Sequence, residues 1–453
     1  MSTIAAVSTP LASGGIGVIR ISGEDAISVA DSVFVSVHGK RLCDLAGYSA
    51  CLGYIFDGDT KLDECIATVY RAPKSYTGED VVELSCHGGL FVTQAVLRSV
   101  LSHGAVAAKA GEFTLRAYLN GKMDLIEAEN VMNIIGAQGQ QALSCALDTL
   151  DGRLSTKIGE IKDALADICA SICAWCDYPE DDVPDVRGEE LIPSIEEQIS
   201  RLENLIKTFD SGKAMTEGVT AVICGRPNVG KSSLMNAMTG YDRSIVTSIA
   251  GTTRDVVEET VRFGNVLFRL SDTAGLRATQ DEVENIGVNL ARKRIDRAQL
   301  ILAVFDASEE LNKEDVDLLT LCGQRRSVAI LNKTDLEQKT NIKDIKKYTS
   351  CAVEVCANDG TGLDELARVC ERLTGLDDID TSAGVLTTER QRRGCENALT
   401  LCRRAVDDIN DGVTLDAVNI TLTDAVDALL ELTGERAGED VIEKVFANFC
   451  VGK

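Results

Sequence analysis

Residues 221–233 read AVICGRPNVGKSS, an apolar run that breaks into Gly225-x-x-x-x-Gly230-Lys231-Ser232. Few local patterns restrict a fold so strongly, because this one asks for a strand, a tight loop and a helix N-terminus in that order. Glycine at 225 and 230 lets backbone N–H groups close on a polyphosphate, Lys231 neutralises its charge, and Ser232 offers a hydroxyl to magnesium. The helix predicted over SSLMNAMTG adds its positive end to the same anion. The competing reading is a glycine-rich strand-to-helix turn.

Downstream motifs weigh against that alternative. The strand-like run VLFRLS leads into Asp272-Thr273-Ala274-Gly275. A carboxylate at a strand end can reach the magnesium there, and Gly275 can offer its N–H to a γ-phosphate. The apolar run SVAILN leads into Asn332-Lys333-Thr334-Asp335. Asp335 can accept hydrogen bonds from N1 and N2 of guanine, an edge adenine lacks, so the expected ligand is GTP rather than ATP. Gly251-Thr252-Thr253-Arg254-Asp255 lies between them as a switch segment, with Thr253 a second magnesium ligand.

At about 150 residues per domain, 453 residues predict roughly three domains. No stretch is long and apolar enough to span a bilayer, and MSTIAAVSTP has neither a basic start nor a cleavable apolar core, so a cytoplasmic protein with no membrane partner is expected. The sixteen cysteines are scattered through apolar runs, as at Cys224, Cys370 and Cys402, which predicts reduced packing thiols. A formal charge of −25 opposes nonspecific nucleic-acid binding, so an RNA partner must be met by a local basic patch or a second protein.

The predicted fold is multidomain and mixes α and β. Residues 1–119 alternate strand-like runs (IGVIRIS, CIATVYR, VVELSC) with a helical pattern around TQAVLRSVL, an α+β domain. Residues 120–217 turn to helical period and form the first part of a helical domain, interrupted by the acidic, proline-bearing stretch DYPEDDVPDVRGEE, read as a solvated loop. Residues 218–377 alternate strands and helices as an inserted α/β Ras-like P-loop domain, and 378–453 return to helical period. Cys169-x-x-x-Cys173-x-x-Cys176 has the spacing of an iron–sulfur motif, but it lies in an unbroken helical pattern that predicts one core-facing helix side.

The chain resembles the MnmE (TrmE) family of tRNA modification GTPases over its whole length. The residues that carry the resemblance are STPLASGGIGVIRISG at the start, YTGEDVVELSCHGG at 76–89, GEFTLRAYLNGKMDLIEAE at 111–129, the Gly225–Ser233 loop and the final Cys450-Val451-Gly452-Lys453. The resemblance implies a GTPase that works with an FAD-dependent partner of the MnmG (GidA) type in a heterotetramer. Together they place an aminomethyl or carboxymethylaminomethyl group on carbon 5 of a tRNA wobble uridine, using one carbon from 5-formyl- or methylene-tetrahydrofolate. It implies that 1–119 binds the folate and forms a homodimer, with Arg20, Glu83, Lys122 and Lys453 at the folate and Cys450 available as a catalytic thiol. From chemistry alone, Arg20 and Lys122 suit a glutamyl carboxylate and Glu83 a pterin ring, or each forms a surface ion pair. A regulatory ribosome-associated GTPase would share the nucleotide motifs without needing Cys450 or a folate domain.

The resemblance also implies how hydrolysis is assisted. Leu276 stands where Ras-like switches carry a water-orienting glutamine, and Glu284 matches the family's catalytic glutamate. Potassium takes the place of an arginine finger, held by Asn228 and by the segment containing Thr247, Ile249 and Thr252. The implied GTP site comprises Asn228, Val229, Gly230, Lys231, Ser232 and Ser233; Thr247, Ser248, Ile249, Ala250, Gly251, Thr252 and Thr253; Asp272, Thr273, Ala274 and Gly275; Asn332, Lys333 and Asp335; and Cys356, Ala357 and Asn358. The last three replace the Ser-Ala-Lys usual in the family, so a lysine stem stacked on guanine is missing and weaker affinity for the base is expected.

Overall fold

A computed structural model describes residues 1–177, 186–241, 259–270, 298–376, 384–447 and 449–453. The chain divides into two compact units. One comprises Met1–Met132, Leu150–Glu196 and Thr400–Lys453, the other Asn133–Thr149 and Glu197–Leu399.

The first unit is built on a seven-stranded sheet. Its strands are β1 (Ile4–Val7), β2 (Ile16–Ser22), β3 (Phe34–Ser36), β4 (Ser49–Asp57), β5 (Thr60–Tyr70), β6 (Val81–His87) and β7 (Val106–Ala107), in the order β3-β4-β5-β6-β2-β1-β7. All neighbours run antiparallel except β1 and β7. Side chains alternate between faces along each strand. Ile19, Ile21, Val82 and Leu84 therefore point into a core shared with helices Ala26–Val33 and Leu90–Ser102. Arg20 and Glu83, register partners across β2 and β6, lie between these buried residues in sequence and are only partly buried.

Helices Arg153–Asp177 and Leu415–Thr433 of this unit pack on each other. Leu154, Ile158, Ile161, Leu165, Ile168 and Ile172 are buried at alternating spacings of four and three, and Val418, Leu422, Ala425, Leu429 and Leu432 repeat the pattern. That 3.5-residue repeat keeps one seam of each helix turned inward along its length. The three-cysteine face contributes less than its spacing predicts. Cys169 is half-buried, whereas Cys173 and Cys176 are exposed. The Asn419 amide donates to the Cys173 sulfur at 3.1 Å. The seam needs only the branched aliphatics, so the cysteines ride at its edge.

The second unit carries a six-stranded sheet. Its strands are β8 (Val219–Cys224), β9 (Glu259–Phe263), β10 (Val266–Leu270), β11 (Leu300–Asp306), β12 (Ser327–Asn332) and β13 (Ala352–Glu354), in the order β13-β12-β11-β8-β10-β9. Only β9 runs antiparallel to its neighbour. Every residue of β11 and β12 is buried, as a central parallel strand covered on both faces requires. Leu300, Leu302 and Val304 enter one core, and Ile301, Ala303 and Phe305 the other. From β8 the chain proceeds to β10 on one side, then crosses to β11, β12 and β13 on the other. A sheet wound this way opens a crevice beyond the carboxyl ends of its strands.

Candidate nucleotide and cofactor sites

The phosphate-loop sequence lies at the end of β8 and runs into helix Lys231–Tyr241. Gly225 has φ +145°, and a Cβ there would lie 2.3 Å from the Val304 carbonyl oxygen. Gly230 has φ +98°, and its Cβ would lie 2.2 Å from Asn332 Nδ2. Both positions exclude side chains for backbone and contact reasons together. Asn228, also left-handed at φ +63°, is exposed at the loop's crest, as are Ser232 and Ser233 in the first turn of the helix. Val229 is buried as the loop's apolar anchor. The Lys231 ammonium folds under the loop, donating to Gly225 O at 2.9 Å and Arg226 O at 2.6 Å. Burial holds its pKa below the ordinary lysine value.

The base motif ends β12. Asn332 is buried and joins two loops: its Nδ2 donates to Val229 O at 3.0 Å, and its Oδ1 accepts from Ala357 N–H at 3.1 Å. The phosphate loop and the loop that carries Cys356, Ala357 and Asn358 are thus tied through one amide. Asp335 and Asn358 are exposed, and Cys356 is buried. Burial pushes the Cys356 thiol pKa up, and the Asp359 and Asp335 carboxylates add to that rise. Thr247, Ser248, Ile249, Ala250, Gly251, Thr252, Thr253, Asp272, Thr273, Ala274, Gly275, Leu276 and Glu284 lie outside the described residues.

Two ion-paired cations beside this site escape motif reading. Arg226, inside the loop, donates through Nε to Asp315 at 2.9 Å and meets Glu309 at 3.0 Å. Asp315 is itself the third residue of a capping box, with Asn312, at the start of helix Lys313–Cys322. Lys333 pairs with Asp306 at the end of β11. The acid in VFDAS, closing a wholly apolar strand, was the available sequence signal.

In the first unit, Arg20 pairs with Glu83 at 2.8 Å, and its guanidinium lies 5.2 Å from the Tyr76 ring centre. The Tyr70 hydroxyl donates to Glu83 at 3.5 Å. Beside them runs the C-terminal segment. After helix Glu439–Phe446, Phe446 and Phe449 bury against Leu125, Ala128 and Val131. Val451 then forms an antiparallel bridge with Ala110, Gly111 N–H donates to Cys450 O at 3.3 Å, and Phe113 N–H donates to Lys453 O at 3.2 Å. Ser8 and Arg20 both donate to Gly452 O, at 3.1 and 3.5 Å. Hydrogen bonds to the tail backbone, invisible to side-chain periodicity, thus seat the segment down to Lys453. The Cys450 side chain stays exposed. Lys453 is half-buried, and burial, then the Arg20 charge, holds its pKa below the usual lysine value, opposed by Glu83. Lys122 donates to Pro73 O at 3.2 Å.

The burial of Cys370, Cys395 and Cys402 pushes each thiol up to about 12, the behaviour of packing residues. Among the described residues, no group of three His, Cys, Asp or Glu side chains is placed to hold a metal ion, and no helix is long and apolar enough to cross a membrane.

Residues 3–122 match the family model described as the GTP-binding protein TrmE N-terminus, and residues 125–450 that of the MnmE helical domain. The tRNA modification GTPase MnmE of Lactobacillus acidophilus is 40% identical over 458 residues, covering 100% of this chain and 98% of that protein. That of Acetivibrio thermocellus is 36% identical over 457 residues, covering 100% and 99%. The G domain of the T. maritima FeoB iron transporter matches 34% of this chain and 98% of its own at 22% identity, with a TM-score of 0.26. End-to-end identity at this level, together with both family matches, makes the chain a member of the MnmE (TrmE) family of tRNA modification GTPases.

Proposed function

We propose that this chain hydrolyses GTP and acts in tRNA wobble-uridine modification with an FAD-dependent partner. Gly225–Ser233 holds the phosphates and Asn332–Asp335 the guanine. The exposed Ser232 hydroxyl fits one magnesium position, with Thr253 and Asp272 completing the set; the ion supplies charge neutralisation at the phosphates. Glu284 would orient water, and Asn228, Thr247, Ile249 and Thr252 would hold a potassium ion, whose charge would supply stabilisation of the developing negative charge. The working division is 1–119 for folate binding and dimerisation, 120–217 and 378–453 for the helical domain, and 218–377 for hydrolysis, in a cytoplasmic protein.

The observation that carries the modification reading is the seating of Gly452 and Lys453 against Arg20 and Glu83. Glu83 is paired with Arg20, and the half-buried Lys453 ammonium beside them adds a second positive charge that an anionic ligand could meet. A tetrahydrofolate glutamyl carboxylate has that charge, its ring can stack on the nearby Tyr76, and it would bring a one-carbon unit toward the exposed Cys450. Homodimerisation has its own support in Leu52 and Ile66, opposite each other on β4 and β5 and both more than 40% exposed.

Calorimetric titration with 5-formyltetrahydrofolate tests the reading. Binding by wild type, weakened at least tenfold in Arg20→Ala, is expected, alongside loss of the modified nucleoside from tRNA of a deletion strain. Unaltered tRNA nucleosides in that strain would favour a regulatory GTPase instead.

A further inference from the structure

Asp306 closes β11 in register with Asn332 at the end of β12. It is 5% exposed. A carboxylate so placed must be compensated. Lys333 supplies the charge, with Nζ 2.5 Å from Asp306 Oδ2. The other oxygen accepts from the Ser308 N–H at 2.9 Å and the Ser308 hydroxyl at 2.6 Å. Burial alone would raise the Asp306 pKa, but the Lys333 ammonium and the Ser308 donors outweigh it and hold the carboxyl below its ordinary range. The Asp306 carboxylate therefore stays ionised at neutral pH.

The surrounding backbone turns the lysine toward this partner. Lys333 has φ +63°, a left-handed conformation rare for a side chain of its size. It is held by Ala307 N–H donating to Asn332 O at 2.9 Å and Leu336 N–H donating to Lys333 O at 3.1 Å. Ala307 O accepts from the N–H groups of Lys339 and Thr340 at 2.8 and 3.1 Å. Asp306 thus sits on a loop that is itself tied to the end of the base motif. A lysine with a free ammonium samples many rotamers, whereas one clamped at Nζ has lost most of that freedom before any ligand arrives.

We propose that Asp306 is a positioning residue for guanine-nucleotide binding: by clamping the Lys333 ammonium it fixes the lysine stem as an apolar wall for the base, in a chain that has Asn358 where the family's second lysine stem is usual. The proposal rests on the reading of Asn332–Asp335 as the base site. It also changes the expectation drawn from Asn358, because one preordered stem offsets the loss of another. Base discrimination remains with Asp335, so the clamp serves all purine nucleotides of the guanine type alike.

Titration of the full-length chain with fluorescently labelled GDP, with unlabelled GDP and inosine diphosphate as competitors, tests this. Asp306→Ala should weaken both competitors about tenfold, or about 1.4 kcal/mol, with their ratio unchanged. Asp306→Asn, which keeps shape and acceptor but not charge, should lose about threefold. In a Lys333→Ala background, Asp306→Ala should add less than twofold. The same tenfold loss in that background would overturn the proposal by making Asp306 merely structural, and so would GDP affinity within twofold of wild type in both Asp306 variants. Asp335→Asn separates the underlying reading: it should shift preference from GDP to xanthosine diphosphate, and unchanged guanine preference would defeat the base-site assignment itself. A normal shift with silent Asp306 variants would defeat only the clamp.

Discussion

At Gly230 the loop has room for hydrogen and nothing larger. The Cβ of any other residue would overlap the Asn332 amide nitrogen, the atom that ties this loop to the base motif, and φ at +98° would be strained as well. Gly230→Ala should therefore cost about 2–3 kcal/mol of stability. Because the strain falls on Asn332, nucleotide affinity should fall with it, by more than tenfold in a fluorescent-GDP titration. An alanine variant that melts and binds as wild type does would mean that the loop has a second low-energy form. Such close approach shows why the two glycines of the pattern are not interchangeable with other small residues: Gly225 meets a strand carbonyl, Gly230 a side-chain amide.

Among the elements, the paired helices Arg153–Asp177 and Leu415–Thr433 and the C-terminal segment differ in what holds them. The helices are joined by aliphatic burial along a 3.5-residue seam. Leu165→Ala, at a position with no solvent exposure, should cost about 2–5 kcal/mol, read as a lowered urea midpoint, whereas Cys173→Ala at the exposed edge should change it little. The tail is held by backbone hydrogen bonds and by Gly452, whose φ of +97° and 2.3 Å Cβ approach to Val7 O admit no side chain. Cys450 contributes its carbonyl to this docking rather than its thiol. Cys450→Ser should therefore leave the tail seated and GTP hydrolysis near wild type, while tRNA from the complemented strain lacks the modified wobble uridine. Normal modification would make the thiol incidental, and a collapse of hydrolysis would give the tail a structural task.

For the whole molecule, the two units divide the proposed work: the nucleotide motifs lie in one, and the Arg20–Glu83–Lys453 cluster with Cys450 in the other. The cation is the cheapest probe of the hydrolytic unit. With Asn228 left-handed and exposed at the loop crest, potassium should speed hydrolysis at least tenfold over sodium at matched ionic strength. Equal turnover in the two salts would remove the ion from the mechanism. Glu284→Ala should then slow turnover with little change in nucleotide affinity, as loss of help given only in the transition state does.

Much of this was legible in the sequence because it is local. The strand-like runs IGVIRIS, CIATVYR and VVELSC fall in β2, β5 and β6, and segments of helical period became the helix pair. Gly225 and Gly230 announced a loop whose backbone no other residue could follow. The tertiary structure alone decided what lies far apart in the chain. Arg20 meets Glu83 only because β2 pairs with β6 in one register, and Gly452 meets Arg20 through its backbone carbonyl, an acceptor that leaves no mark on the pattern of side chains. In the sequence Asp306 is only an acid that follows an apolar run; its partner Lys333 is set by β11 and β12 lying parallel with their ends level. A period or a motif records what one segment needs from its own backbone, whereas a buried charge is satisfied by whichever strand the sheet places beside it.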